Sequence, residues 1–159
     1  MKRILILITV IILVYGCDKS EEQNNNNNLD MGMEFSVFNS NNQDLLDTAT
    51  VGHLRESEIK LLYVIDGKTQ EVYNANYDNP KNFSVFKHEN EYRIGIVMNY
   101  TETSDKPITY IKWNDADTDT IEATYIRTDN AVMKNKVWFN GSLIWDRTLN
   151  QEEYYKLIK

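Results

Sequence analysis

The segment YRIGIVMNY constrains the fold more than any other stretch of the chain. Tyr92, Ile94, Ile96, Met98 and Tyr100 recur at every second position. One face of an extended strand therefore carries them all, whereas a helix would scatter them around its axis. The same alternation runs through MEFSVF, where Met33, Phe35 and Val37 share a side, and through EIKLLYVID, where Ile59, Leu61, Tyr63 and Ile65 do so. Asp66-Gly67 follows with a pair suited to positive φ, and TQEVYN returns, so residues 58–74 are predicted as a hairpin. Asp78-Asn79-Pro80 marks a further turn. NFSVFKH, ITYIKW, TIEATYIR, AVMKNKVWF, SLIWD and EYYKLIK continue the pattern, and Asn140-Gly141 joins KVWF to SLIWD as a two-residue hairpin turn. Residues 42–56 alternate weakly and are expected to form a long loop.

Roughly nine or ten short strands at this spacing predict an all-β fold, an antiparallel β-sandwich of immunoglobulin-like or related Greek-key topology. The motif FSVF occurs at 35–38 and again at 83–86. Such common strand residues recur by chance, and no internal duplication is inferred.

The N-terminus has a different grammar. Lys2 and Arg3 precede an uncharged apolar run from Ile4 to Tyr15, and Gly16 stands before Cys17, the only cysteine. This is the layout of a signal peptide over residues 1–16. The run is about a dozen residues long, short of the ~20 a membrane-spanning helix needs. With no second cysteine, Cys17 has no intrachain disulfide partner. Val14-Tyr15-Gly16-Cys17 resembles the lipobox of bacterial lipoproteins. The resemblance implies a diacylglycerol thioether on Cys17, cleavage before it, and acylation of the amine so exposed. Each buried chain methylene then contributes ~0.8 kcal/mol to membrane attachment.

Asp18-Lys19-Ser20-Glu21-Glu22 is similar to the acidic export patch of surface lipoproteins of the Bacteroidota type. The likeness implies an outer-membrane lipoprotein facing outward. QNNNNN follows, with nothing apolar to bury against the lost chain entropy. Residues 17–30 are therefore expected to be a lipidated tether, reaching on the order of 20 Å by the random-coil estimate, and residues 31–159 a single domain. LLYVIDGKTQEVYN, TYIKWNDADTDTI and KVWFNGSLIWD give that domain a further resemblance, to small uncharacterised lipoproteins of the same bacterial group. It implies a secreted β-sandwich and brings no catalytic residues with it.

The formal net charge of -7 becomes -9 once Lys2 and Arg3 leave with the signal peptide. That balance excludes nucleic acid as an expected partner. The chain has no G-x-S-x-G, P-loop or dinucleotide fingerprint. His53 and His88 are isolated and have no zinc-ligand spacing. The expectation is a non-enzymatic protein.

Two stretches are candidate sites. In WNDADTDT, Asp115, Asp117 and Asp119 alternate, and alternating carboxylates in a tight loop can converge on calcium. An EF-hand is excluded, because Thr120 takes its glycine position and Ile126 its closing glutamate. The competing reading is an acidic hairpin turn, with Asp and Asn capping backbone N–H groups, and no other cofactor is expected.

The second candidate is KVWFNGSLIW. A regular hairpin pairs Phe139 with Ser142, Trp138 with Leu143, Val137 with Ile144 and Lys136 with Trp145. One face then holds Phe139, Val137 and Ile144. The other holds Trp138, Leu143 and Trp145 beside Lys134, Lys136 and Arg147. Trp138 and Trp145 either lie under a loop or the C-terminal strand, which the usual burial of tryptophan favours, or form, with Lys136 beside them, an exposed platform for a protein or a glycan. The expected function is thus a lipid-anchored binding or structural protein of the cell envelope, with an envelope protein or an extracellular macromolecule as partner. The alternative is a glycan-binding accessory domain.

Overall fold

A computed structural model describes residues 28–159. The signal peptide, Cys17, the export patch and the tether up to residue 27 lie outside the described residues. Eleven strands make up almost all of the regular structure: β1 (Asn28–Asp30), β2 (Gly32–Phe38), β3 (Lys60–Ile65), β4 (Lys68–Glu71), β5 (Phe83–His88), β6 (Glu91–Val97), β7 (Ile108–Lys112), β8 (Thr118–Thr128), β9 (Ala131–Phe139), β10 (Ser142–Asp146) and β11 (Tyr154–Ile158). Among the described residues the only helical element is a 3-10 turn, Arg147–Leu149. None of them forms a helix long and apolar enough to cross a membrane.

The strands form two sheets. Sheet A has the order β1-β9-β8-β7-β3-β4, with β10 also paired to β9, and sheet B has the order β11-β2-β6-β5. β1 and β10 share one edge of β9: β1 lies against Ala131–Met133 and β10 against Lys136–Phe139. Most pairings are antiparallel, as the hairpin turns require. β1 on β9 and β11 on β2 are parallel, which makes both sheets mixed.

Alternation builds the core. Met33, Phe35 and Val37 from β2 and Ile94 and Ile96 from β6 meet Leu61, Ile111, Ile121 and Val137 from sheet A, all buried. Trp113 is fully buried, and its Nε1 donates to Asp119 Oδ2 at 2.7 Å, which satisfies the one polar atom of the ring. At the β9–β10 turn, Asn140 (φ 48°) and Gly141 (φ 79°) both occupy the left-handed region that a two-residue hairpin demands.

The expected loop over residues 42–56 is mainly turns, yet Leu46 reaches the core. Leu45 N donates to Val37 O and Leu54 N to Leu45 O, both at 2.7 Å, tying the loop to β2. The domain also begins earlier than expected. Asn28–Asp30, assigned above to the tether, form β1. Asn28 N donates to Asn130 O at 2.9 Å, and the Asp30 carboxylate accepts from Lys134 and Arg147.

Candidate functional site

The β9–β10 hairpin starts in the expected register, with Ser142 opposite Phe139 and Leu143 opposite Trp138. It then departs from it. Trp145, not Ile144, lies opposite Val137, and Asp146 lies opposite Lys136, because a bulge between Leu143 and Trp145 leaves Ile144 unpaired. One extra residue moves every later side chain to the other face.

Trp145 therefore enters the core at 4% exposure, while Trp138 stays half-buried on the outside of sheet A. The two tryptophans stand on opposite faces and do not form one platform. Inside, Trp145 Nε1 donates to Gln151 O at 3.3 Å. Lys136 does share the outer side with Trp138. Its Nζ binds Asp146 Oδ2 at 2.6 Å, and Asp146 in turn accepts from Thr148 N and Oγ1 at 2.9 and 2.7 Å.

The outer face of sheet A is the widest candidate surface. Registers place Leu143, Trp138, Glu122 and Ile108 in one row across β10, β9, β8 and β7. The next row runs Thr120, Tyr110, Leu62 and Glu71 across β8, β7, β3 and β4. Val64 lies on the same side of β3, two residues beyond Leu62. Leu62, Val64, Ile108, Tyr110 and Trp138 are half-buried and Leu143 is 49% exposed.

Ion pairs interrupt and border these apolar residues, and Glu122 itself stands between Trp138 and Ile108. Lys106 Nζ lies 4.1 Å over the Trp138 ring and 3.1 Å from Glu122. Lys60 reaches Glu71 at 2.8 Å, and Lys112 reaches Asp115 at 2.7 Å.

The acidic loop divides its three aspartates. Asp115 is exposed, and the hydrogen bond from Lys112 holds its carboxyl below the usual carboxylate range. Asp117 and Asp119 converge on Lys159 Nζ, which lies 2.8 and 2.7 Å from them. Burial pushes the Asp119 carboxyl up, but hydrogen bonds from Lys159, Asn140 and Trp113 outweigh it and leave the group ionised below its ordinary value. The Lys159 ammonium thus occupies the position between these carboxylates that a cation would take. Among the described residues no group of three or more His, Cys, Asp or Glu side chains is arranged to hold a metal ion.

Two polar centres depart from the sequence reading: Lys134, expected on the outer face, is buried, and the cluster around Arg93 is not foreseen. A bulge in β9 places Thr124 opposite Lys136 and Tyr125 opposite Lys134, with Asn135 extruded between them. Lys134 consequently points inward with no exposed surface, 2.7 Å from Glu153 and 5.0 Å from the centre of the Trp145 ring. On sheet B, Arg93 stacks 3.8 Å over Tyr154 and binds Glu91, Glu152 and Glu34 at 2.8, 3.0 and 3.1 Å. Burial works against the guanidinium charge, but these three carboxylates outweigh it and secure the charged form.

No protein-family model matches the chain, and no curated protein or solved structure matches it either.

Proposed function

We propose that this chain is a cell-envelope lipoprotein that binds a protein partner through the outer face of sheet A and catalyses no reaction. In this reading the lipid on Cys17 anchors it in the outer membrane, the export patch directs it outward, and residues 18–27 separate the membrane from the sandwich. The anchoring half rests on the N-terminal motifs.

The binding half rests on one observation: the apolar side chains of Trp138, Ile108, Tyr110, Leu62 and Val64 share one sheet face, crossed by the pair of Lys106 with Glu122 and edged by that of Lys60 with Glu71. The chain enters the sandwich at Asn28, opposite Ala131 at the start of β9. Trp138 lies seven positions further along that strand, about 23 Å at the usual rise of ~3.3 Å per residue. The first described residue thus sits at the far end of β9 from Trp138.

The reading assigns no resident cofactor, since calcium at Asp117 and Asp119 would have to displace Lys159. The test of the anchor is Cys17→Ser, expected to move the protein from the membrane fraction to the soluble one. Protease added to intact cells should degrade the anchored protein. A mutant that stays on the membrane, or a protein fully protected on intact cells, contradicts this half.

A further inference from the structure

The outer face of sheet B carries a cleft of about 460 Å³. Its floor follows from the strand alternation. Met33, Ile96 and Phe83 turn into the core, so Gly32 and Glu34, Gly95 and Val97, and Ser84 turn outward. The register sets Gly95 between Glu34 and Ser84, and Gly32 opposite Val97. Two neighbouring outward positions therefore have no side chain, and the sheet backbone itself is the floor.

The walls come from three places. Ser84 edges the cleft on the β5 side, where Phe86 packs over Gly95 so closely that a Cβ there would meet its Cε1 at 3.3 Å. The loop before β5 brings Tyr77 and Asn79 over the rim. That loop is fastened by Asn74 N donating to Pro80 O at 2.8 Å and Asn82 N to Asn79 O at 2.9 Å. Tyr77 remains 55% exposed. Glu34 and Glu153 form the third side.

From this lining we infer that the cleft binds a ring of a neutral sugar. Its volume lies within the ~300–1,000 Å³ of small-ligand sites. The charged residues lining it are two glutamates, and each already faces a cation: Glu34 is 3.1 Å from Arg93 and Glu153 is 2.7 Å from Lys134. Their carboxylates are held in place with lone pairs left over for hydroxyl donors. Ser84, Asn79 and Tyr77 supply further donors and acceptors along the rim.

A pyranose presents hydroxyls around its edge and C–H groups on its faces. The glycine floor admits such a ring close to the backbone, and the Tyr77 ring offers an apolar surface to stack on. Among the described residues no cationic side chain lines the cleft to receive a phosphate or a uronate. The inference is independent of the sheet A reading, because the two sites lie on opposite sheets.

The described residues 28–159 hold the hydrophobic core, so the chain from Asp18 onward retains it and suits calorimetric titration. The panel is neutral gluco-, manno-, xylo- and galacto-oligosaccharides beside uronate oligosaccharides. At least one neutral series should bind and the uronates should not. Tyr77→Ala and Gly32→Val should each weaken that binding about tenfold or more, while Trp138→Ala leaves it unchanged. Gly32→Val suits the test because a Cβ there meets only Ile96 O, at 3.8 Å, so the strand accommodates it. Absence of binding by every neutral series overturns the inference. So does binding that survives both cleft variants, or binding that Trp138→Ala abolishes.

Discussion

Lys134 Nζ, wholly buried, stands 2.7 Å from the Glu153 carboxylate and also donates to Asp30 at the end of β1. The partners are unequally placed: Lys134 has no exposed side-chain surface, Asp30 has 24% and Glu153 has 52%. Removing the carboxylates strands a charge in the interior, whereas removing the lysine leaves acids that water can reach. Breaking such a pair from the wrong side costs about 3–5 kcal/mol, while replacing the buried ion by an apolar group of similar size is often close to neutral. The double variant Asp30→Asn, Glu153→Gln should therefore lose about 3 kcal/mol or more, and Lys134→Met about 1 kcal/mol or less. Urea midpoints at constant m decide between them. Equal losses, or the reverse order, contradict this account of the cluster.

The two tryptophans of the last hairpin should behave as opposites. Trp145 is in the core and Trp138 is on the outer face. Trp145→Ala should cost about 3–5 kcal/mol, the usual range for a large aromatic removed from a core. Trp138→Ala forfeits the contact with Lys106 and part of its cross-strand packing, about 1–2 kcal/mol, and should leave a folded protein. Thermal or urea unfolding of both variants measures the difference. Comparable losses would mean that Trp145 is not on the inner face.

Stability should be level across the middle of the pH range and fall at both ends. The hydrogen bond from Lys136, with those from the Thr148 hydroxyl and backbone, lowers the Asp146 carboxyl to about 2. A depressed carboxyl stabilises the fold above its unfolded value of about 4, and that contribution is lost as pH falls toward about 2. Burial raises the Tyr63 phenol to about 12, and the neutral hydroxyl donates to Val97 O at 2.6 Å. A raised phenol stabilises fully below its unfolded value of about 10, and that contribution disappears as pH rises through about 12. Urea midpoints against pH should show both limbs. Asp146→Asn should flatten the acid limb and Tyr63→Phe part of the alkaline one. A variant that leaves its limb as steep as before assigns the titration elsewhere.

Nine of the strands are legible as alternation, from MEFSVF to EYYKLIK, because their faces differ in polarity, and β4, exposed throughout, through the Asp66-Gly67 turn before it. β1 is not, since Asn28-Leu29-Asp30 is too short and polar to show a period; its place comes from the β9 edge and from the cations that receive Asp30. The two bulges are equally invisible. Strict alternation from Val137 would turn Asn135 inward, and the structure extrudes it and buries Lys134 instead. Extrusion of Ile144 likewise moves Trp145 from the expected outer platform into the core. A bulge depends on what the partner strand and opposite sheet accept, which local sequence does not encode. Trp138 and Lys136 lie on the outer side, in the stretch between the extruded Asn135 and the turn where strict alternation holds.

The most direct test of the proposed binding face is site-specific photocrosslinking on intact cells that express the anchored protein. A photoreactive residue at Val64 or Leu143, on the outer face of sheet A, should capture the same discrete partner. The same residue at exposed Lys87, on the edge of sheet B, should not. Val64→Glu should abolish the adduct from Leu143 without unfolding the domain. No adduct from either sheet A position, or the same adduct from Lys87, contradicts the claim that this face is where the lipoprotein binds its partner.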